Sequence, residues 1–211
     1  MLLKEQFKSF QGVLPALTER EIEKYEEYFS VLRSWNEKMA LVSKKSINLS
    51  FATHFCDSLF ISDFGKKYLK GNRVYDLGSG AGFPGLVFAI RNPNLEVRLY
   101  EKLLKKQTFL GAVVGQLKLS NVKVQGAMPE ERHSGLILAR AVMPPPELFK
   151  FLSTRMSEGA VLIVNIGSQA EEPIPPKQFK KLEETKYSLP LDCGSRRAIA
   201  YQFVSRGTIK K

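Results

Sequence analysis

Cysteine and histidine are scarce in this chain of 211 residues, which has two of each. Cys56 and Cys193 cannot form a disulfide framework or a four-thiolate zinc site. His54 and His133 lack the paired spacing of a zinc site, so we expect no bound metal. Long apolar runs are also missing. None approaches the ~20 residues that cross a bilayer, and the first ten residues lack the apolar core of a secretory signal. We therefore expect a cytoplasmic protein that binds no membrane.

Acidic residues are the minority among the charges. The chain has 32 Lys and Arg against 21 Asp and Glu, which gives a formal net charge of +11. Residues 1–50 carry eight basic and seven acidic side chains, so nearly all of the excess lies in residues 51–211. Basic surfaces attract polyanions, because neutralised phosphates release their counterions. Charge alone leaves two alternatives open: a nucleic-acid partner, or a basic protein without one.

The first part of the chain has the pattern of helices. Thr18 and Glu21 have the spacing of a capping box, which predicts the start of a helix. The apolar residues that follow are spaced three or four apart, as on one helix face: Ile22, Tyr25, Phe29, Leu32, Trp35 and Met39. Phe51, Phe55 and Leu59 predict a second helix in the same way. We interpret residues 1–70 as an N-terminal helical extension without strands.

From residue 71 onward, short apolar runs alternate with amphipathic segments. Strands are predicted at Arg73–Leu77, Glu96–Glu101, Val122–Gln125, Gly135–Ala141, Ala160–Asn165 and Ala198–Val204. Helices are predicted at Gly85–Arg91, Leu103–Leu117, Glu147–Met156 and, after a proline-rich loop, Lys177–Glu184. This alternation predicts an α/β fold with a doubly wound, mostly parallel sheet, formed by residues 71–211.

The glycine-rich segment after the first predicted strand is the most informative part of the chain. Asp76 is followed by Gly78, Gly80 and Gly82 at alternate positions. Glycine is needed where the backbone takes a positive φ or must lie against a ligand. The dinucleotide fingerprint would need a glycine where Phe83 stands, and the P-loop motif is absent. The pattern instead matches the nucleoside-binding loop of methyltransferases that use S-adenosyl-L-methionine (AdoMet).

An acidic residue accompanies this loop. Glu101 follows Gly80 by 21 residues, at the end of the second predicted strand. A carboxylate at that point can accept hydrogen bonds from both ribose hydroxyls of a nucleoside. The alternative is a tight turn and an unrelated surface glutamate.

Motifs along nearly the whole chain carry a family resemblance. They are Trp35-Asn36, His54 to Leu59, Asp76 to Gly85, Glu101 to Lys106 with Phe109-Leu110, Leu138 to Ala141, and Arg196. Together they resemble the bacterial 16S ribosomal RNA guanine-N7 methyltransferases, the RsmG or glucose-inhibited division protein B family. The chain departs from the family pattern at Ala40, Thr108, Met128 and Ile166. The resemblance implies AdoMet as cofactor, and ribosomal RNA or the small ribosomal subunit as partner.

We expect the cofactor to contact residues near the carboxyl ends of the first four strands. The candidates are Asp76, Gly78, Gly80, Gly82, Phe83, Glu101, Pro129, Glu130 and Arg140. Pro129 and Glu130 follow the third strand, where such enzymes usually read the adenine. Arg140 can bind the methionine carboxylate or an RNA phosphate, a strand-end salt bridge being the alternative. Phe83 can pack against the methionine part of the cofactor or within the core.

His54 and Asp57 lie three residues apart on a predicted helix, so their side chains share a face. With Arg140 they are the candidate catalytic residues, able to orient the methyl-transfer site. The alternative is a His–Asp hydrogen bond that anchors the helix to the sheet. The candidate RNA-binding residues are Lys105, Lys106, Arg196 and Arg197, with Lys102, Lys210 and Lys211 as further phosphate contacts. A solvated basic face is the alternative there.

Motifs of other base methylations are missing. The prolines after Met143 are not preceded by Asp or Asn, as exocyclic amine methylation requires, and neither cysteine follows a proline, as in cytosine-C5 enzymes. Guanine N7 carries an in-plane lone pair and no proton, so positioning suffices for its methylation. We expect a monomeric AdoMet-dependent methyltransferase of guanine N7 in 16S ribosomal RNA. The alternatives are a methyltransferase of another RNA or a small molecule, and a non-catalytic RNA- or ribosome-binding protein.

Overall fold

The computed structural model describes residues 3–10, 12 and 14–205. Its helices are α1 Leu3–Ser9, α2 Glu19–Asn36, α3 Lys44–Asn48, a π-helical turn Phe51–Cys56 that continues into α4 Asp57–Lys66, α5 Gly85–Arg91, α6 Leu104–Gln116 and α7 Pro145–Ser153. Its strands are β1 Arg73–Leu77, β2 Glu96–Tyr100, β3 Val122–Gln125, β4 Leu136–Arg140, β5 Val161–Gly167, β6 Phe179–Ser188 and β7 Ser195–Phe203. None of the described helices is long and apolar enough to span a membrane. Lys210 and Lys211 lie outside the described residues, and their phosphate contacts stay predictions.

The seven strands form one sheet in the order β3-β2-β1-β4-β5-β7-β6. The pairs β2–β3, β1–β2, β1–β4 and β4–β5 are parallel, while β7 runs antiparallel between β5 and β6. Parallel neighbours need a crossover connection, and α5, α6 and α7 lie in three of those connections. The predicted doubly wound, mostly parallel fold is confirmed.

Apolar cores cover both faces of the sheet. On one face, α5, α6 and the N-terminal helices pack against strand residues such as Leu136 and Leu138. On the other face, Phe149 of α7 packs with residues such as Ile137. Successive strand residues point to opposite faces, so Arg140 at the end of β4 lies on the face of the N-terminal helices.

Helix α2 begins where the sequence predicts. The Thr18 side chain accepts a hydrogen bond from the Glu21 amide at 3.2 Å, and the Glu21 carboxylate accepts one from the Thr18 amide at 2.7 Å. Ile22, Tyr25 and Leu32 of this helix are buried in the core that also covers the sheet. The N-terminal helices therefore share a core with the sheet, and the domain boundary at residue 70 stays a prediction.

The predicted helix Lys177–Glu184 is wrong, because most of this segment belongs to the edge strand β6. Its lysines and glutamates have high helix propensity, which is why the local pattern favours a helix. In the structure it pairs with β7, and the register shifts between Lys181 and Glu183, which interrupts the two-residue alternation. Charged side chains on an edge strand also protect a sheet from pairing with other chains. Strand β7 begins earlier than predicted, so Arg196 lies within it.

Candidate functional site

The glycine loop connects the carboxyl end of β1 to α5. The amides of Gly78 and Ser79 donate to the carbonyl of Tyr100, at the end of β2, at 2.8 and 3.0 Å. Gly80 has a φ of +57°, and a Cβ built there would meet only the Gly78 carbonyl oxygen, at 3.8 Å. A Cβ on Gly78 would instead lie 2.3 Å from Val142 Cγ2. Gly78 is therefore needed for packing, whereas Gly80 leaves open space beside the loop.

Glu101 holds this loop from the end of β2. Its carboxylate accepts hydrogen bonds from the Gly80 amide and the Leu103 amide, both at 2.9 Å. The residue is 7% exposed. Each carboxylate oxygen has a further lone pair, so Glu101 can accept hydroxyl donors while it keeps both amides. The structure thus brings the predicted acid and the glycine loop together.

Two cavities meet at the loop, and both are lined by Gly78, Gly80, Lys106 and Ala141. The smaller cavity, of about 370 Å³, lies between the loop, Glu101 and residues 126–128. The larger cavity, of about 740 Å³, extends from the loop to the π-helical turn and the end of β5. Both open at the carboxyl edge of the parallel strands, where ligands bind in open α/β sheets.

Asp76 and Gly82 support the loop and line neither cavity. Asp76 is buried, and its Oδ2 accepts a hydrogen bond from the Gly85 amide at 3.1 Å. Burial is the main reason that the pKa of Asp76 is raised to about 6. A Cβ on Gly82 would lie 2.3 Å from Leu86 Cδ1, so this position has no room for a side chain. Both residues shape the loop, and their contacts with the cofactor stay predictions.

The residues after β3 divide between the wall of the smaller cavity and the exposed surface. Pro129 and Glu130 are exposed and line neither cavity. Gly126, Ala127 and Met128 line the smaller cavity instead. Among the positions that depart from the family pattern, Met128 lines the smaller cavity and Ile166 the larger one, while Ala40 and Thr108 are exposed.

The three candidate catalytic residues come together at the larger cavity. Arg140 Nη1 donates to Asp57 Oδ2 at 3.0 Å and to the Thr53 carbonyl at 3.1 Å. Arg140 Nη2 lies 3.4 Å from His54 Nδ1. Asp57 Oδ1 accepts a further hydrogen bond from the Tyr187 hydroxyl at 2.7 Å. In the described structure Asp57 thus pairs with Arg140 and Tyr187 rather than with His54, and this ion pair joins α4 to the sheet.

His54 is neutral in this environment. Burial, with the charge of Arg140 as the second cause, lowers the pKa of His54 to about 3. Its ring stacks on Phe83, with ring centroids 4.9 Å apart, and Phe83 stacks in turn on Tyr28. Phe83 is 4% exposed and lines the larger cavity, so it belongs to the core and to the cavity wall. An imidazole with so low a pKa is a poor proton acceptor near neutral pH.

The candidate RNA-binding residues do not lie together. Lys106 and Arg196 line the larger cavity, and Lys105 is exposed on α6. Arg197 is placed elsewhere, because consecutive residues of a strand face opposite sides of the sheet. It is 8% exposed, and its Nε donates to Glu184 Oε1 at 2.7 Å. The prediction that Arg197 joins Arg196 at the RNA is therefore not supported by its position.

Two residues that sequence reasoning missed complete the cluster at the larger cavity. Asn165 Nδ2 donates to the Tyr187 hydroxyl oxygen at 2.6 Å, and Tyr187 donates to Asp57. Asn165 ends a run of buried apolar residues on β5, and a lone amide at the carboxyl end of a central strand is the signal that could have identified it. Tyr187 follows the segment predicted as a helix, so the error in β6 concealed it.

The chain matches known proteins over most of its length. The family model described as "GidB: rRNA small subunit methyltransferase G" matches residues 21–197. Ribosomal RNA small subunit methyltransferase G of Staphylococcus saprophyticus is 30% identical over 197 residues, which cover 87% of this chain and 82% of that protein. The protein of the same name from Desulfitobacterium hafniense is 33% identical over 162 residues. That match covers 73% of this chain and 66% of the relative, just under two thirds.

Solved structures share the fold at low sequence identity. MtNAS, in a mutant form complexed with S-adenosylmethionine, has a TM-score of 0.56 and 12% identity, over 96% of this chain and 88% of that chain. The putative methyltransferase yhhF from Escherichia coli has a TM-score of 0.55 and 16% identity, over 70% and 85% of the two chains. These two structures thus share their fold with this chain, and one of them contains S-adenosylmethionine. The family resemblance of the sequence motifs is confirmed, and the chain belongs to the rRNA small subunit methyltransferase G family.

Proposed function

We propose that this protein is an AdoMet-dependent methyltransferase that acts on N7 of a guanine in small-subunit ribosomal RNA. The observation that carries the proposal is the meeting of two cavities at the glycine loop, in a chain of this family. We infer that the cofactor occupies the smaller cavity and that the target base enters the larger one. We further propose that the enzyme works in the cytoplasm as a monomer, on the RNA or on the small ribosomal subunit.

The residues of the smaller cavity fit AdoMet. Glu101 keeps lone pairs for the ribose hydroxyls while it anchors the loop through the Gly80 amide. The open space at Gly80 lets the backbone lie directly against a ligand. Gly126, Ala127 and Met128 would then contact the adenine, in place of Pro129 and Glu130.

The chemistry of N7 methylation suits the larger cavity. When bound, AdoMet supplies an electrophilic methyl group, and the lone pair of guanine N7 can accept it without losing a proton. Neither His54, whose pKa is lowered to about 3, nor Asp57, which binds Arg140 and Tyr187, is placed to remove a proton. We infer that these residues fix Arg140 at the wall of the cavity. Catalysis then consists of holding the base in line with the methyl group, which can contribute ~7–11 kcal/mol.

The RNA side of the larger cavity is basic. Lys106 and Arg196 line it from α6 and β7, on opposite sides of the loop. No ion pair to an acidic residue involves either side chain within the described part of the chain. Both are therefore free to neutralise phosphates that flank the target nucleotide.

The test is methyl transfer from labelled AdoMet to small ribosomal subunits from a strain that lacks this gene, followed by mass mapping of the modified nucleotide. We expect 7-methylguanosine at a single position. Arg140→Lys keeps the positive charge that Asp57 needs but loses the planar guanidinium, so we expect correct folding and a rate about 100-fold lower through misplacement of the base.

Arg98→Lys is the matched control for this substitution. Arg98 also pairs with a carboxylate, at 2.7 Å from Glu96, and its side chain is 21% exposed against 17% for Arg140. It lines neither cavity, so its variant should keep the wild-type rate. Label on an exocyclic amine or on a carbon atom would contradict the N7 assignment. Tight AdoMet binding without transfer to any RNA would favour the non-catalytic alternative or a small-molecule substrate.

A further inference from the structure

We propose that Asn165 is a specificity-determining residue, whose amide oxygen accepts a hydrogen bond from the N1–H and N2 amino edge of the target guanine. Tyr187 is the positioning residue that fixes this orientation of the amide. The inference rests on the proposed function, because it assigns a substrate contact at the same cavity.

Asn165 lies at the wall of the larger cavity, which we propose that the target base enters. It is the register partner of Arg140 on the neighbouring parallel strand, and both residues line the larger cavity. The cavity also includes Gly78 and Gly80, at the end of β1. Strands β1 and β5 flank β4, so their ends lie ~9–10 Å apart at the usual strand spacing. A base between them can direct N7 at the glycine loop and its opposite edge at Asn165.

The hydrogen bonds around Asn165 determine which end of its amide faces the cavity. Asp57, paired with the Arg140 guanidinium, is a carboxylate that only accepts. Tyr187 must therefore donate its single proton to Asp57 Oδ1, at 2.7 Å. Burial, with Asp57 as a further cause, raises the pKa of Tyr187, so the hydroxyl keeps this proton.

The remaining lone pair of the Tyr187 oxygen can then only accept, at 2.6 Å, so the group that faces it is the Asn165 amino group. The amide oxygen is left as the polar atom that Asn165 can offer to the cavity. It makes no hydrogen bond to any residue that the structure describes. Rotating the amide would set an oxygen against the Tyr187 oxygen with no proton between them, so the acceptor orientation is enforced.

An enforced acceptor distinguishes the purines. Guanine presents two adjacent donors, N1–H and the N2 amino group, on the edge away from N7. Adenine presents a lone pair at N1 and a carbon-bound hydrogen at position 2, so the Asn165 oxygen would repel it. Inosine keeps N1–H but lacks the N2 amino group, which makes it the smallest change that removes one of the two donors.

The experiment uses the full-length enzyme and small subunits reconstituted with ribosomal RNA transcribed from GTP and a small fraction of ITP. The readout is the ratio of 7-methylinosine to 7-methylguanosine at the modified position, divided by the ratio of the two nucleosides incorporated. This ratio does not depend on how much of the enzyme is active. We expect the wild type to disfavour inosine about tenfold, which corresponds to about 1.4 kcal/mol.

Two variants test the two residues separately. Asn165→Ala should methylate inosine and guanosine in proportion to their incorporation, with unchanged AdoMet affinity by calorimetry. Tyr187→Phe, which keeps Asn165 but frees its amide to rotate, should reduce the bias to an intermediate value. Arg98→Ala, outside both cavities, should keep the wild-type bias.

If the wild type and Asn165→Ala showed the same bias against inosine, of whatever size, the proposal would be overturned. If Tyr187→Phe kept the full bias against inosine, the enforced orientation of the Asn165 amide would be overturned. This result alone would overturn the proposal if Asn165→Ala does not fold. A wild-type enzyme that forms no 7-methylguanosine would instead overturn the proposed function, and the role of Asn165 with it.

Discussion

Replacing Gly80 with alanine tests whether the cofactor lies against the glycine loop. Gly80 has a φ of +57°, a conformation that costs an L-residue about 1–2 kcal/mol of folding free energy. No clash adds to this cost, because the nearest atom to the new Cβ would be the Gly78 carbonyl oxygen at 3.8 Å. We therefore expect Gly80→Ala to fold, with an unfolding free energy lower by about 1–2 kcal/mol in urea titrations.

We also expect Gly80→Ala to lower the affinity for AdoMet, in addition to this loss of stability. The new methyl group would occupy the open space that both cavities share at the loop, where we propose that the backbone lies against the cofactor. We expect the AdoMet affinity of the folded variant to fall at least tenfold, about 1.4 kcal/mol. Isothermal titration calorimetry measures this at a temperature where both proteins are folded.

Gly159→Ala is the matched control. Gly159 has a φ of +79°, and a Cβ added to it would meet nothing within 4 Å, so its variant should lose a similar amount of stability. It precedes β5 and therefore lies at the amino edge of the sheet, opposite the loop. Its AdoMet affinity should equal that of the wild type. Normal AdoMet binding by Gly80→Ala, or an equal loss of affinity in both variants, would refute a cofactor position against the loop.

One further prediction separates the effect of Arg196 on RNA binding from that of Arg197 on stability. Another concerns the pH dependence of stability that Asp76 causes. Arg196→Ala should flatten the logarithmic salt dependence of RNA affinity by roughly 0.7–0.9 in filter binding, whereas Arg197→Ala, which leaves Glu184 without its 2.7 Å partner, should lower the unfolding free energy and keep the slope. Equal slopes for both variants would contradict this division. The native pKa of Asp76, raised to about 6 from an ordinary value of 3.8, means that the folded protein binds this proton more tightly than the unfolded chain does. The contribution of Asp76 to stability should therefore be complete below pH ~4 and decline as the pH rises to ~6, by at most about 1.4 kcal/mol per pH unit. Urea titrations of the wild type and of Asp76→Asn over this pH range isolate the contribution of Asp76. If the unfolding free energies of the two proteins changed with pH in parallel, the assignment to Asp76 would be contradicted.

The central part of the sheet could be predicted from local sequence, because β1, β4 and β5 are buried on both faces and form short apolar runs. The edge strand β6 could not. Its lysines and glutamates favour a helix locally, and only pairing with β7 makes it a strand. Pairing is a long-range contact, which a pattern within a window of residues does not contain.

The candidate site, too, could be predicted from the sequence only in part. The glycine loop and Glu101 could be predicted, because a turn with positive φ needs glycine and the acid lies one strand away. The chain of hydrogen bonds from Arg140 through Asp57 and Tyr187 to Asn165 could not, since its members come from four elements and Tyr187 follows Asp57 by 130 residues. Pro129 and Glu130, predicted to contact the cofactor, line neither cavity, because spacing after a strand does not determine which residues of the following loop reach a cavity.

That chain of hydrogen bonds also bears on the residues that the sequence analysis predicts to orient the methyl-transfer site. A histidine and an aspartate that line a cavity are typical of acid–base chemistry. Here Arg140 and Tyr187 occupy both oxygens of Asp57, and burial beside Arg140 lowers the pKa of His54 to about 3, which makes it a poor proton acceptor. Methylation of an exocyclic amine must release a proton, and neither residue is placed to accept it. A ring nitrogen with a free lone pair needs no such release, so this arrangement is compatible with the N7 methylation that we propose.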